Sequence, residues 1–440
     1  MSPTVITILI VIAMFVGLCS GLPIALALGS IGVIFTFFLW GPHAMGVIPT
    51  LIFGKTMMSF GLLSIPLFIL MGLVLQHSGM AEKLFRTFYM WSGRLNGGLA
   101  VAAVVVCTLF AAMTGIGGAG TVTMGLVALP AMMKRNYNLR LALGAIASGG
   151  ALGILIPPSI IMIIYGMTCQ VSVGRLFAGG LGPGILLAFL YIVYILVLCK
   201  MKPEMGPGVP EEELATFKEK IIMSKDVALP LILIAFVLGV IFTGTATPTE
   251  GAGVGAIGSL ILMLISKECT WDKLKKISLG TVSLTGMVLW IIIGAYCFAT
   301  IYTALGAADF IAELTSNMPF GYWGVFIIFQ ILFFVLGMLL EPSAIVMIVA
   351  PIMIPIIDYF GYNQVWFGVL FVVNMQCAYI TPPFGYNLFY VKSVAPPDLQ
   401  MAELYKAIVP FIAIQLVAIT LCAIFPQIIL FLPNLIFGPG

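Results

Sequence analysis

The chain has 440 residues, of which 62% are hydrophobic and only 8% charged, and its formal net charge is +3. A soluble globule of this composition would expose apolar surface that it could not cover, and so small a charge gives no reason to expect a nucleic-acid partner. Several charge-free runs exceed the roughly 20 residues that a helix needs to cross a bilayer; they include 1–54, 95–133, 141–174, 277–308, 359–391 and 407–440. The composition predicts an all-α polytopic membrane protein.

The segment 200–226 divides the chain into two halves of about equal size. It is the clearest soluble stretch, because it holds five lysines, several glutamates and three prolines. Each half has the same order of predicted elements. Helices come first, then a short charged loop, an apolar pair broken by glycine or proline, a second loop, and a helix interrupted by Pro-Pro.

The two halves also carry the same punctuation at one constant spacing of 225 positions (157 to 382). The matched residues are Pro130 with Pro355, Tyr137-Asn138 with Tyr362-Asn363, Pro157-Pro158 with Pro382-Pro383, and Tyr165 with Tyr390. A duplicated membrane unit with paired proline breaks is typical of secondary transporters, whose binding site lies near the bilayer midplane.

The charged loops of the two halves differ in sign. The loops on either side of 95–133 are basic, whereas Asp309, Glu313 and Asp358 make the corresponding loops of the second half acidic. Since Lys and Arg favour cytoplasmic loops, the repeat is predicted to be inverted. Segments 95–133 and 317–357 would then each enter the membrane and return as a helical hairpin. Their irregular tips must be buried in protein or line a wet cavity, so we expect both tips to face a site.

Four glycines between positions 115 and 120 mark the first tip. Glycine permits a tight turn that brings carbonyl groups close to a cation. The alternative is that small residues allow close helix packing. The glycines alone do not decide between these interpretations, but the argument for a re-entrant hairpin favours a site.

The Pro-Pro pairs interrupt one helix in each half. Prolines lack the backbone donor, so Pro157-Pro158 should release carbonyls near Gly153 and Ile154 that can ligate Na⁺. The helix that resumes offers free N–H groups to an anion. A simple kink would explain one pair; two pairs at matching positions favour a site.

Glu341, at the second predicted tip, has two interpretations that the sequence leaves open. An ionisable group inside an apolar run is a functional candidate. A carboxylate just before Pro342 can also cap the helix that starts there.

We therefore predict a Na⁺ site at each tip and a substrate carboxylate between the two sites, because hard cations prefer oxygen ligands. The predicted Na⁺ ligands and their neighbours are Thr114, Gly115, Gly117, Gly118, Gly149, Gly153, Pro157, Leu340, Glu341, Ser343, Gln376, Ala378 and Thr381. The predicted substrate-binding residues are Thr121, Ser159, Ser343, Asn374, Phe384 and Asn387.

Taken together, these stretches resemble the large membrane subunit of tripartite ATP-independent periplasmic (TRAP) transporters. The matching segments cover nearly the whole chain: GLLSIPLFILMG (61–72), FAAMTGIGGAG (110–120), LGILIPPSIIMIIYG (152–166), SVGRLFAGGLGPG (172–184), ATPTEGAG (246–253) and ITPPFGYNLF (380–389). Within the family the overall look is closest to the sialic-acid branch. Family members commonly have serines just after the glycine of the first tip, where this chain has Ile116 and Gly117.

The resemblance implies an inverted-repeat, elevator-type permease of the bacterial inner membrane, with a fixed scaffold and a moving transport part. It implies a small membrane subunit and a periplasmic substrate-binding protein as partners. The scaffold would comprise 1–94, 175–199, 227–305 and 396–440. The transport part would comprise 95–174, with hairpin 95–133, and 306–395, with hairpin 317–357; 200–226 would be a cytoplasmic linker.

The expected function is Na⁺-driven import of a carboxylate solute, with sialic acid favoured and a C4-dicarboxylate next. A channel-like permease without ion coupling is the alternative. An intramembrane enzyme is not expected, because no HExxH motif occurs and no aspartate lies in the middle of a predicted span.

Overall fold

The structure is a computed structural model that describes residues 3–115, 117–208, 216–307 and 321–439. The apolar runs fold into helices, and six of the described helices are long and apolar enough to cross a membrane, or up to eight if each of two bent pairs is one span. The first half contains α1 (Pro3–Cys19), α2 (Ile24–Phe35), α3 (Val47–Thr50), α4 (Ser64–His77), α5 (Met80–Ser92), α6 (Gly98–Thr114), α7 (Gly117–Lys134), α8 (Leu139–Ala151), α9 (Ile160–Cys169) and α10 (Val173–Met201). The second half contains α11 (Phe217–Phe242), α12 (Pro248–Ile265), α13 (Trp271–Ala304), α14 (Gly321–Leu339), α15 (Pro342–Phe360), α16 (Gln364–Tyr379), α17 (Tyr386–Val394), α18 (Met401–Ile424) and α19 (Gln427–Phe437).

Helix starts in the two halves follow the repeat seen in the sequence. Helices α7 and α15 begin at Gly117 and Pro342, 225 positions apart, and α8 and α16 begin at Leu139 and Gln364 with the same spacing. The residue before each of the latter pair is an asparagine whose side chain caps the helix. Asn138 accepts hydrogen bonds from the Arg140 and Leu141 N–H groups, and Asn363 accepts one from Trp366. The repeat therefore preserves the caps as well as the proline breaks.

Two helical hairpins and two Pro-Pro-broken helices form the centre of the fold. Helices α6 and α7 pack side by side, as do α14 and α15. A tyrosine binds the first arm of each hairpin at the end remote from the tip. Tyr137 Oη accepts from the Leu99 N–H at 3.1 Å, and Tyr362 Oη donates to the Tyr322 carbonyl at 2.5 Å. Helices α8 and α9, and likewise α16 and α17, are separated by the Pro-Pro pairs. The predicted fold class is confirmed.

The predicted soluble stretch 200–226 is partly helical. Helix α10 continues to Met201, and α11 already begins at Phe217. Thr216 and Glu219 form a reciprocal capping box that stabilises this start. Between them, the Gly206 carbonyl accepts the Gly97 N–H at 2.7 Å, which holds the connection against the base of the first hairpin.

Helices α2, α4, α12 and α13 pack against one another, and α13 also packs on α15 of the second hairpin. Helices α10, α18 and α19 pack with the hairpins and broken helices instead; Gly144 of α8, for example, leaves room for the Phe411 ring of α18. The division into scaffold and transport parts stays a prediction. By packing alone, the segments 175–199 and 396–440 group with the hairpins rather than with the predicted scaffold.

Candidate functional site

A small cavity lies where the two hairpin tips meet the two broken helices. We call this space, of about 70 Å³, the tip cavity. The first tip contributes Gly115 and Gly117, the second contributes Glu341, Pro342 and Ser343, and the residues before the two breaks contribute Ile154 and Tyr379. Apolar side chains of α4, α9 and α13 complete the lining: Ile69, Ile160, Ile161, Leu284, Met287 and Val288. The predicted convergence of four interrupted segments on one pocket is thus present in the structure.

Gly115 makes the turn of the first tip. Its φ of +64° lies in the left-handed region that favours glycine, and its N–H donates to the Ala111 carbonyl at 3.0 Å. A Cβ at this position would lie 2.3 Å from the Pro158 carbonyl oxygen. The first tip is therefore seated directly on the first Pro-Pro break, and only glycine permits this approach.

The next glycines serve close packing. Helix α7 begins at Gly117, so three of the four glycines that mark the predicted tip lie in the helix. A Cβ on Gly117 would lie 3.0 Å from the Tyr379 ring and 3.1 Å from Ile154, and one on Gly118 would lie 2.5 Å from the Tyr390 ring. Gly115 makes the expected tight turn, and its successors give the close packing that is the alternative interpretation; a cation site at this tip stays a prediction.

A buried hydrogen-bonded chain joins the two repeats beside the tip cavity. Thr121 of α7 donates to Asn387 Oδ1 at 2.7 Å, and Asn387 Nδ2 donates to the Ala147 carbonyl of α8 at 2.5 Å. Both side chains are fully buried. Asn387 follows the second break, so it fixes that half of the molecule to the first hairpin and the first broken helix. Both residues were predicted to bind substrate; in the structure their polar groups bond to each other.

Glu341 caps the second hairpin's return helix and also borders the tip cavity. Its Oε2 accepts the Ser343 N–H at 3.0 Å and the Ser343 hydroxyl. Tyr379 lines the same cavity. The two interpretations that the sequence left open are compatible, since one carboxyl oxygen can cap the helix while the group faces the cavity.

The first break satisfies most of its own polar groups. The Ser159 hydroxyl accepts the Met162 N–H and donates to the Ile154 carbonyl at 2.5 Å, so one carbonyl expected to be free has a partner. Gly153 lies in the 3₁₀ turn Leu152–Ile154 that precedes Pro157. Gly149 packs against Cys107 of α6.

The remaining predicted residues are placed in four ways. The Thr114 and Thr381 hydroxyls donate to Phe110 and Cys377 of their own helices, at 3.0 and 2.7 Å. The main-chain groups of Leu340 and Ala378 are bonded to Leu336 O and Thr381 N. Phe384 is half exposed. Asn374 lies away from the tip cavity, where its Nδ2 donates to the main-chain and side-chain oxygens of Gln330.

Gln376 is the predicted ligand with the strongest unmet demand for a partner. Its side chain is fully buried, and within the described part of the chain neither Oε1 nor Nε2 has a hydrogen-bond partner. A buried amide without partners costs about 1–3 kcal/mol. Its oxygen suits a hard cation, as does the equally unpartnered Ser148 hydroxyl of α8. Gln376 does not line the tip cavity, so a cation bound by Gln376 would lie outside that cavity, beside the helix that precedes the second break.

We expect the Gln376→Met variant to separate the free-energy cost of burying the amide from the contribution of its oxygen to Na⁺ binding. Removing the unpartnered amide should raise the melting temperature of the purified protein in choline chloride, because an apolar side chain of similar length fits a buried site better. The same change should reduce the additional stabilisation that NaCl gives. Thermal unfolding in each salt measures both effects. An unchanged response to Na⁺ would mean that Gln376 is no ligand.

Sequence reasoning missed the aromatic and apolar parts of the site. Tyr379 lines the tip cavity, and Tyr390 packs on Gly118. The repeat spacing singled out Tyr390, and Tyr379 stands next to the predicted break, so position was an available signal. No such signal marked the α13 side chains, because one apolar helix face among many becomes distinctive only when its neighbour is known.

Comparison with known proteins agrees with this architecture. Residues 11–428 match the family described as the DctM component of the tripartite ATP-independent periplasmic transporter. A C4-dicarboxylate TRAP transporter large permease protein of Pseudomonas aeruginosa is 32% identical over 400 residues, which cover 91% of this chain and 92% of that protein. A sialic acid TRAP transporter permease protein of Haemophilus influenzae is 30% identical over 86% of this chain and 60% of its own length.

A solved structure shares the fold. The YdaH transporter of Alcanivorax borkumensis superposes with a TM-score of 0.62 at 16% identity, covering 98% of this chain and 99% of that one. The family match spans most of the chain, and the predicted resemblance is confirmed. This protein is a multi-span membrane transporter rather than an enzyme, and it belongs to the DctM large-permease family of TRAP transporters.

Proposed function

We propose that this chain imports a carboxylate solute by Na⁺ symport, with the tip cavity as the place where ion and substrate binding are coupled. The observation that carries the proposal is the meeting of both tips and both breaks at one cavity. A ligand that binds there contacts all four interrupted segments, so it can hold or release both hairpins together. Each bound species would then strengthen the binding of the other.

The substrate is proposed to be a carboxylate because relatives transport C4-dicarboxylates and sialic acid. The sequence alone favoured sialic acid. The P. aeruginosa dicarboxylate permease matches this chain over more of its own length than the sialic acid permease does. We therefore give a C4-dicarboxylate equal weight, and both substrates belong in the test.

The proposed transport step is an elevator motion in the bacterial inner membrane. Helix α13 supplies one apolar wall of the tip cavity, and the hairpins supply the opposite wall. This arrangement supports a boundary between a fixed and a moving part at the cavity. A periplasmic binding protein would deliver the solute, and a small membrane subunit would complete the complex. The Na⁺ gradient supplies the work, since one charge crossing 100 mV yields about 2.3 kcal/mol.

Uptake should depend steeply on external Na⁺. In proteoliposomes that contain the small subunit and are supplied with loaded binding protein, replacing NaCl with choline chloride should reduce uptake of succinate or sialic acid at least tenfold. Collapsing the Na⁺ gradient with an ionophore at constant external Na⁺ should abolish accumulation. Equal uptake in both salts would reject Na⁺ coupling, and non-saturating flux would favour a channel.

A further inference from the structure

Lys55 is an isolated charge that the proposed transport cycle does not use. It is the first charged side chain of the chain, and the next is Glu82. It lies on a seven-residue π-helix, Leu51–Met57, and this rare helix type is frequent at functional sites. Within the described residues Lys55 forms no ion pair; its Nζ lies 5.9 Å from the centre of the Tyr296 ring.

Lys55 lines a cavity of about 550 Å³ that we call the vestibule. The other residues that matter here are Thr168 of α9, Tyr296, Thr300 and Thr303 of α13, and Met347 of α15. The vestibule contains one formal charge, which is positive, and its described lining has no acidic residue. Its uncharged polar groups are hydroxyls: those of Thr168 and Thr303 donate to Met347 Sδ and the Ala299 carbonyl, whereas those of Tyr296 and Thr300 have no partner among the described residues and can donate to an anion. A cationic cavity with hydroxyl donors suits a small oxyanion.

The vestibule and the tip cavity lie along the same elements. On α13, Val288 lines the tip cavity, and Tyr296, Thr300 and Thr303 follow at helical spacing along one face. On α15, Ser343 lines the tip cavity, and Met347, one turn later, lines the vestibule. Segment 267–276, at the start of α13, holds four lysines, and because lysine favours cytoplasmic loops we expect this end of α13 to be cytoplasmic. The vestibule lies toward the other end of α13 and therefore on the predicted outer side.

We propose that the vestibule is an outer anion-binding station in which Lys55 receives the substrate carboxylate before it reaches the tip cavity. This inference rests on the proposed uptake of a carboxylate. Lys55 acts as a positioning residue that raises the local concentration of the anion. The coupling ions and the transport motion do not involve it. A lipid phosphate has similar charge and acceptor chemistry, so the test must separate a solute from a headgroup.

The charge of the vestibule can be measured without transport. In the purified full chain carrying Thr303→Cys, an anionic methanethiosulfonate reagent should react about fivefold faster than a cationic one, because a single positive charge lies nearby. Adding Lys55→Met should bring the two rates together, and Lys55→Arg should restore the difference. Lys276→Met removes a lysine near the opposite end of α13 and should change nothing. Protein without the added cysteine gives the background.

Occupancy is then tested with succinate and with sialic acid, each against NaCl at equal ionic strength. In the Thr303→Cys protein, either carboxylate should slow modification of the introduced cysteine when position 55 is Lys or Arg. Neither should slow it in Lys55→Met. In proteoliposomes, Lys55→Met should raise the KM for uptake several-fold and leave the maximal rate unchanged.

Three results would overturn the station. The first is that neither carboxylate protects the cysteine. The second is that protection persists in Lys55→Met. The third is that phosphatidylglycerol protects where the carboxylates do not, which would mean that Lys55 binds a lipid headgroup. The labelling result does not depend on Na⁺. Loss of Na⁺ coupling with intact protection would reject the proposed symport and leave the station in place.

Discussion

Gly115→Ala is expected to abolish substrate uptake. The new methyl group would lie 2.3 Å from the Pro158 carbonyl oxygen, well inside contact distance, so the first tip could no longer seat on the first break. The left-handed φ of +64° adds about 1 kcal/mol of strain for a residue with a Cβ. The measurement is Na⁺-dependent uptake in proteoliposomes, together with the amount of folded protein in the membrane.

Gly21→Ala is the matched control. Gly21 also has a left-handed φ, of +77°, but nothing lies within 4 Å of its virtual Cβ. The Gly21→Ala variant should therefore be subject to the backbone strain alone and retain most of the uptake. If the two variants behave alike, the seating of the tip is not what transport requires. Gly253→Ala, which has neither strain nor a close neighbour, should behave as wild type.

Asn387→Leu should produce the second large effect, a loss of stability together with a loss of uptake. The change removes the bond from Thr121 to Asn387 and the bond from Asn387 to the Ala147 carbonyl in a fully buried site, and it leaves the Thr121 hydroxyl only the Gly117 carbonyl of its own helix, at 3.3 Å. Each lost hydrogen bond contributes about 0.5–1.5 kcal/mol. Because these hydrogen bonds join the two repeats, we expect the melting temperature in detergent to fall and uptake to be lost.

A double-mutant cycle isolates the bond. Thr121→Val removes the hydroxyl at nearly constant volume, and in combination with Asn387→Leu its effect on the melting temperature should be less than additive, because either change alone breaks the same bond. Thr420→Val is the control, since that exposed hydroxyl donates only within its own helix, to the Leu416 carbonyl. Strict additivity of Thr121→Val and Asn387→Leu would mean that the bond does not join the repeats.

The local features of the site followed from the sequence for a clear reason. Proline removes a backbone donor wherever it stands, so Pro157-Pro158 and Pro382-Pro383 interrupted their helices as predicted. Asparagine before an apolar run caps it, and Gly115 turns the chain, because these preferences depend on the nearest few residues. Their constant spacing made the repeat visible.

The partners of the polar side chains did not follow from the sequence. The hydroxyl of Ser159 was predicted to meet substrate and instead bonds Ile154, while Asn374 bonds Gln330 on another helix. Every buried polar group bonds to the donors and acceptors that folding brings near it: the acceptor of Ser159 is set by the turn at the first break, and the acceptor of Asn374 belongs to a different helix. The same holds for Lys55, which is unremarkable in the sequence until α13 brings three hydroxyl or phenol side chains beside it.

The sequence by itself thus determined an all-helical membrane protein, its duplicated halves, the positions of the turns and breaks, and its family, since each depends on composition or on short-range backbone chemistry. Only the tertiary structure decided which side chains line the cavity that the four interrupted segments share, that Thr121 and Asn387 bind each other, and that an isolated lysine faces a separate vestibule. Contacts between residues hundreds of positions apart depend on how helices cross, and helix crossing is set by the fit of whole surfaces.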